Sequence, residues 1–433
     1  MEKKQQVMQW LDNHSSQLQQ LLSSFVRIPS FTGNEYDMQM AVKAFAEEAG
    51  LQVRQQAFDE EQRRPCLLIT YPGTGEGKCL MLDAHADTVI VHKDEKWEHD
   101  PLSGDFDGTW IHGRGATDDK WGIATALMTM KALKECGVQL PGDVKLLVSV
   151  GEEGGLIGGS YSRRYLGAGA MVRTMEKAPD FCIVCEESTK TIGVETPKSM
   201  GFTLSVSGKA VHTCVRRQCV YPQIHGVPSG SVVGVDALQK AIIVIDALYR
   251  LERDIATNHR LGGVIGTGGI TGGCRSTIGA FTMNPVEITG GGTNTLMANL
   301  TVRYSCHFSP MYTHEEIWEL IEDTVKGVAM TDLWLRENPP VLKRGNTNNG
   351  FSTDPNHPAI ASMCKAHEAV VGRPAAVKDW VAGCDADAMN DVVPCVVYGP
   401  TGFGAHSPNE RSKLSDLVEA AKVYALTAMD FCQ

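Results

Sequence analysis

At about 150 residues per domain, a chain of 433 residues has room for two or three domains. Its 42% hydrophobic and 21% charged residues lie near globular averages, and no run of about 18 consecutive apolar residues occurs, so neither a membrane-embedded nor a disordered chain is expected. With 40 Lys+Arg against 51 Asp+Glu the net charge is −11, which repels polyanions and argues against nucleic acid as a partner.

The elements follow in chain order. Residues 15 to 27 place Leu18, Leu21, Leu22 and Phe25 at helical spacing before a stop at Ile28-Pro29. In KCLMLDAHAD a short apolar run, Cys79 to Leu82, turns polar at Asp83 and His85, as in a buried strand that ends at a site. Residues 122–134 read as a helix, 143–150 as a second buried strand followed by GEEGG, and 180–185 as a third followed by Glu186 and Glu187. Three apolar strands thus end in acidic or imidazole side chains.

From about residue 198 the texture alternates, as expected for a half-exposed sheet. A strand at 201–208, a long amphipathic helix through Leu238, Ile242, Ile245 and Leu248, strands at 277–283 and 297–304, a helix at 313–328 and a last strand at 331–337 give the order βαββαβ of a ferredoxin-like layer. The first texture returns with a helix at 358–371, a strand at 392–398 and a final helix at 415–430. The expectation is an α/β domain, residues 1–197 and 339–433, with a small α+β domain, 198–338, inserted into it.

Thirteen cysteines are about 3% of the chain, well below the roughly 8–10% of a disulfide scaffold, and their number is odd. Reduced thiols and a cytoplasmic setting are expected. The N-terminal segment has no apolar stretch of about 7–15 residues of the kind a secretory signal carries.

The strand-end residues form a ligand set: His85 and Asp87 in HAD, Asp118 in GRGATDDKWG, Glu152 and Glu153 in GEEGG, Glu186 in CEES and His406 in GAHSPNE. Two imidazoles with several carboxylates suit Zn²⁺, with Co²⁺ or Mn²⁺ as alternatives. Two metals about 3.5–4 Å apart need a bridging carboxylate. Asp118 fits that part, with His85 and Glu186 on one metal and Glu153 and His406 on the other. Asp87 is placed to accept the free N–H of the His85 ring, and Glu152 is left as general base.

In these landmarks the chain resembles the acetylornithine deacetylase, succinyl-diaminopimelate desuccinylase, aminoacylase and glutamate carboxypeptidase family of co-catalytic zinc hydrolases. They run in order as HxD at His85, GRGxxDxK from Gly113 to Lys120, EEGG from Glu152, Glu186, GxxxH ending at His212, and AHSPNE from Ala405. The resemblance implies a zinc-exopeptidase-like catalytic domain with an inserted lid and dimerisation domain, two divalent ions, and a homodimer formed through the lid. It implies that Glu152 passes a proton from the attacking water to the leaving amine, that His212 stabilises the oxyanion, and that the Asp118-Asp119 peptide is cis. The implied substrate is an N-acyl amino acid, an N-acyl amine or a short peptide. A dipeptidase or carboxypeptidase and a non-catalytic metal-binding relative are the alternatives.

Departures from the pattern bear on specificity. Trp121 stands where relatives have a small residue, which raises the prospect of a different pocket shape. Residues 213–235, with Arg216, Arg217, Tyr221 and His225, extend the segment after His212. Arg303 and Asn294 are the nearest matches to the family's lid arginine and asparagine, and they join Arg216 and Arg217 as expected substrate contacts. Cys182 and Cys185 read as core, and GTGGITGG at 266–273 lacks the context of a dinucleotide fingerprint.

Overall fold

A computed structural model describes residues 2–154, 163–215, 234–258, 281–310, 312–380 and 382–433. The chain divides into two compact units, Met1–Thr196 with Gly350–Gln433, and Pro197–Asn349.

The first unit is built on an eight-stranded sheet. Its order is Gln52–Ala57, Pro65–Tyr71, Val144–Ser149, Leu80–His85, Phe181–Val184, Cys395–Val397, Ile192–Gly193 and Val377–Lys378. Its middle four strands, Val144–Ser149 to Cys395–Val397, are parallel neighbours. Parallel strands are covered on both faces and so carry apolar residues at consecutive positions. Leu80–His85 is buried along its whole length, with Leu80, Leu82 and Ala84 facing one core and Met81 the other. The helices Lys120–Glu135 and Leu414–Phe431 belong to the first of these cores, and each fully buried Leu, Ile or Val there contributes about 1.5–3 kcal/mol.

Because the middle strands run in parallel, the residues after His85, Ser149 and Val184 emerge at the same end of the sheet. A three-stranded sheet, Gly402–Phe403, Arg411–Lys413 and Trp110–His112, joins two further loops, 113–118 and 404–410. Those loops carry Asp118 and His406.

The second unit holds a four-stranded antiparallel sheet in the order Val341–Asn348, Lys198–Ser207, Asn299–Phe308 and Thr282–Gly290, with the helices Ala237–Asn258 and His314–Ala329 packed into its core. This is the expected βαββαβ order, with two corrections, the first being that the strand expected at 277–283 runs over Thr282–Gly290. The pattern at 331–337 predicts the last strand, but Leu333–Glu337 is a helix, because Asp332 caps it by accepting the Trp334 and Leu335 N–H groups at 3.0 Å each. The last strand is Val341–Asn348, beyond the Pro339-Pro340 pair. The boundary therefore falls at 349/350 instead of 338/339, and the first junction at 196/197.

Candidate metal centre

His85 ends a wholly buried strand, Glu153 lies four residues past Ser149, and Glu186 lies two past Val184. Asp118 is followed by a cis peptide bond to Asp119. Next along, the helix Lys120–Glu135 begins, and its third residue has to be glycine. A Cβ at position 122 would stand 2.6 Å from Asp119 Oδ1 and 2.7 Å from Cys185 Cβ. His406 sits in left-handed backbone at φ +57°.

Asp118 lies between the two histidines. Its Oδ1 is 2.9 Å from His85 Nε2 and its Oδ2 is 3.0 Å from His406 Nε2. On one side Glu186 Oε1 is 3.9 Å from His85 Nε2, and on the other Glu153 Oε2 is 2.9 Å from His406 Nε2. Two groups follow, His85, Asp118 and Glu186, and Asp118, Glu153 and His406, each with one donor atom per residue within 4.8 Å of the others. One carboxylate shared between two triads is the arrangement that a pair of cations requires.

The electrostatics point the same way. Burial and the Asp118 charge push Glu153 up to about 8, and burial, Asp118 and Asp119 raise Glu186 well above the carboxylate range. Hydrogen bonds to Asp118 and Glu153 push His406 up to about 10. Against burial, hydrogen bonds from His406 and His85 hold Asp118 below its usual range. Carboxylates crowded together and pushed up by burial and neighbouring carboxylates, with an imidazole pushed up beside them, describe a site whose negative charge calls for cations. The donor set of two imidazoles and three carboxylates, without thiolate, fits Zn²⁺, Co²⁺ or Mn²⁺.

The surroundings differ from expectation at Asp87. The His85 Nδ1 atom is 2.9 Å from the backbone carbonyl of Asp87 and 3.7 Å from its carboxylate, so the main chain fixes the ring. The carboxylate instead accepts the Glu152 and Glu153 N–H groups, at 3.1 Å each, and the Thr32 hydroxyl at 2.8 Å. It therefore holds the backbone at Glu152 and Glu153 against the end of the His85 strand. Glu152 is buried, and its Oε1 accepts Arg163 Nη1 at 2.5 Å. Lys120, which burial lowers to about 7, donates to the Phe25 and Ile28 carbonyls at 3.0 and 2.6 Å and so ties the end of the helix Ser15–Val26 to the Asp118 loop.

The profile of Peptidase family M20/M25/M40 matches residues 81–430, which span every residue of both triads. The chain belongs to that family. It is accordingly a hydrolase of amide bonds. Among curated proteins it is 29% identical over 370 residues to the N-formyl-4-amino-5-aminomethyl-2-methylpyrimidine deformylase of Bacillus subtilis (strain 168), covering 82% of this chain and 79% of the relative. It is 24% identical over 411 residues to the succinyl-diaminopimelate desuccinylase of Methylobacterium nodulans, covering 93% of each. In fold it is similar to a tripeptidase from Staphylococcus aureus at a TM-score of 0.70 and 21% identity, covering 95% of this chain and 97% of the other.

In the M20/M25/M40 chain described here, the remaining expected residues fall in the second unit. His212 is exposed, bridges to Thr295, and accepts the Cys214 N–H on Nδ1 at 3.3 Å. Asn294, at φ +56°, receives the Thr213 N–H on its carbonyl, so the His212 and Asn294 segments are neighbours. Arg303 donates to Glu287 across the sheet at 2.9 Å. Arg216, Arg217, Tyr221, His225 and the 266–273 segment lie outside the described residues. Trp121 is wholly buried within the core. Sequence reasoning missed Arg163, for which no local motif exists, and Glu410, whose signal was its place in AHSPNE.

Proposed function

We propose that the chain removes a small acyl group from an amine by metal-dependent hydrolysis, with a formyl group on a primary aminomethyl substituent as the first substrate to test. The observation that carries the reading is the carboxylate of Asp118 shared between His85 and His406. The choice of acyl group rests on the deformylase of Bacillus subtilis, at 29% identity.

His85, Asp118 and Glu186 would hold one divalent ion and Asp118, Glu153 and His406 the other, with Zn²⁺ the first candidate. Bound there, the ions supply Lewis acidity toward the amide carbonyl and the attacking water. Glu152 takes a proton from that water and returns it to the amine nitrogen as the C–N bond breaks, so that amide and water become carboxylic acid and amine. With Oε1 held by Arg163, the proton travels on Oε2. Asp87 keeps Glu152 and Glu153 at fixed separation through their backbone N–H groups. The role of His212 as a donor to the oxyanion rests on the family resemblance, and His212→Ala tests it as a loss of kcat.

The remaining parts of the reading have narrower support. A homodimer formed through the second unit is favoured by the exposed Leu238, Ile242 and Tyr249 along one helix and by Val286 and Ile288 on an edge strand. Light scattering of the purified protein tests it. A reducing, cytoplasmic setting is favoured by the cysteines, all free among the described residues.

The deciding experiment assays a panel of N-formyl, N-acetyl and N-succinyl amines with short peptides, for wild type and Glu152→Gln. The substitution keeps an acceptor for Arg163 and removes the base. Turnover of formyl amines that is lost in Glu152→Gln supports the reading. Turnover confined to peptides replaces deacylase with peptidase, and turnover unchanged in the variant rejects Glu152 as the base.

A further inference from the structure

The two loops that carry Asp118 and His406 are joined by one wholly buried carboxylate, that of Glu410. Its Oε1 accepts the Thr117 and Asp118 N–H groups at 2.8 and 3.0 Å, and its Oε2 accepts Arg114 Nη1 at 2.6 Å. Its backbone carbonyl accepts the Gly113 N–H at 2.9 Å. Arg114, also buried, reaches back to the Ser407 carbonyl at 3.5 Å. The segment 113–118 is thus bound at both ends by a single residue that lies four positions after His406.

The need for such a clamp is visible in the backbone. His406 and Asn409 stand at φ +57° and +64°, a left-handed conformation that is strained for residues other than glycine and persists where surrounding bonds over-determine it. His85 and Glu186 have no such dependence, since they follow directly from strands whose own ladder fixes them. The clamp therefore holds two residues of one triad, Asp118 and His406, but only the shared Asp118 of the other, and acts unequally on the two.

We infer that Glu410, through Arg114 and the backbone of Thr117 and Asp118, is a positioning residue that sets the distance between Asp118 and His406, and so the affinity of the Asp118, Glu153 and His406 triad for its cation. The inference rests on the reading of the cluster as a two-metal centre. Groups that orient ligands without touching the metal typically change affinity by about 10–100-fold when altered. In Glu410→Ala all three carboxylate bonds are lost. In Glu410→Gln an acceptor remains for the two N–H groups, and only the charge opposite Arg114 goes.

The test is titration of metal-free protein with Zn²⁺ alone, by calorimetry and elemental analysis, with circular dichroism to show that each variant is folded. Wild type is expected to take two ions. Glu410→Ala is expected to keep one with affinity within about threefold and to lose about 100-fold on the other, with Glu410→Gln near 10-fold. Two ions bound by Glu410→Ala with unchanged affinities, or both weakened equally in a folded variant, overturns the inference. If Glu410→Ala does not fold, Glu410→Gln decides, and unchanged affinities in it are the overturning result. A wild type that takes fewer than two ions overturns the two-metal reading first and this inference with it.

Discussion

Arg163 Nη1 donates to Glu152 Oε1 at 2.5 Å, and both side chains are about nine-tenths buried. An arginine therefore faces the carboxylate proposed as the base, eleven residues along the chain. Removing one member of a buried pair leaves the other without compensation, at a cost of about 3–5 kcal/mol. Arg163→Met is expected to lose stability of that order in urea denaturation of the metal-free protein, and Arg163→Lys less. Denaturation midpoints that match wild type would show that the pair contributes nothing.

Asp87 yields a prediction that separates its two possible duties. If its carboxylate oriented the His85 ring, Asp87→Ala would weaken the ion held by His85 and Glu186. The ring is instead held by the Asp87 main chain, which the substitution leaves in place. Asp87→Ala is expected to lower kcat about 10–100-fold by releasing Glu152 and Glu153, while the His85 ion stays bound. A zinc titration in which the His85 ion is the one lost would reverse the assignment.

These two cases show what the sequence could convey. His85, Glu153 and Glu186 follow from short motifs at the ends of apolar strands, where periodicity and local chemistry coincide, and Asp118 and His406 from motifs in two loops. The partners of those residues do not. Glu410 reaches Arg114 across 296 positions, and Arg163 follows no motif. The strand Val341–Asn348 is mostly polar and follows a proline pair, so it lacks the apolar run that marks the central strands. The capped helix Leu333–Glu337 imitated a strand because its three apolar residues are consecutive.

Metal removal provides a third test. Glu153 and Glu186, both pushed up by burial and by the charge of Asp118, can share the site as anions when a cation binds. A cation bound only by the folded state adds about 2.7 kcal/mol at 100 times its dissociation constant. A chelator is expected to lower Tm, and added Zn²⁺ to restore it. A Tm indifferent to both would count against any cation at this site.

Histidines outside the site set a pH dependence. Burial lowers His307 and His314, and burial with nearby Lys78 lowers His357. In each case the folded pKa lies below the unfolded value of about 6.5, so the unfolded state binds more protons in between. Their stabilisation is complete above pH about 6.5 and is lost as pH falls below it. His357 shows the mechanism: its Nδ1 accepts the Ala359 N–H at 3.2 Å at the start of the helix Pro358–Val371, and protonation removes that acceptor. His357→Asn keeps a cap without titrating. Its Tm should fall less than that of wild type between pH 7 and pH 5.5, and parallel curves would exclude His357 as a contributor.

Trp121 tests whether a departure from the family pattern changes specificity or packing. The ring is wholly buried, and a Cβ on Gly399 would come within 2.5 Å of it, so it fills the space between the helix Lys120–Glu135 and the end of the strand Cys395–Val397. Truncating such a ring costs about 3–5 kcal/mol through the cavity left behind. Its Nε1–H has no partner among the described residues, an arrangement that costs about 1–3 kcal/mol. Trp121→Phe removes that donor while keeping most of the volume. Trp121→Ala is therefore expected to lose several kcal/mol in urea and Trp121→Phe little, with the ratio of formyl to succinyl turnover unchanged in both. A shifted ratio in folded Trp121→Phe would place the ring at the substrate after all.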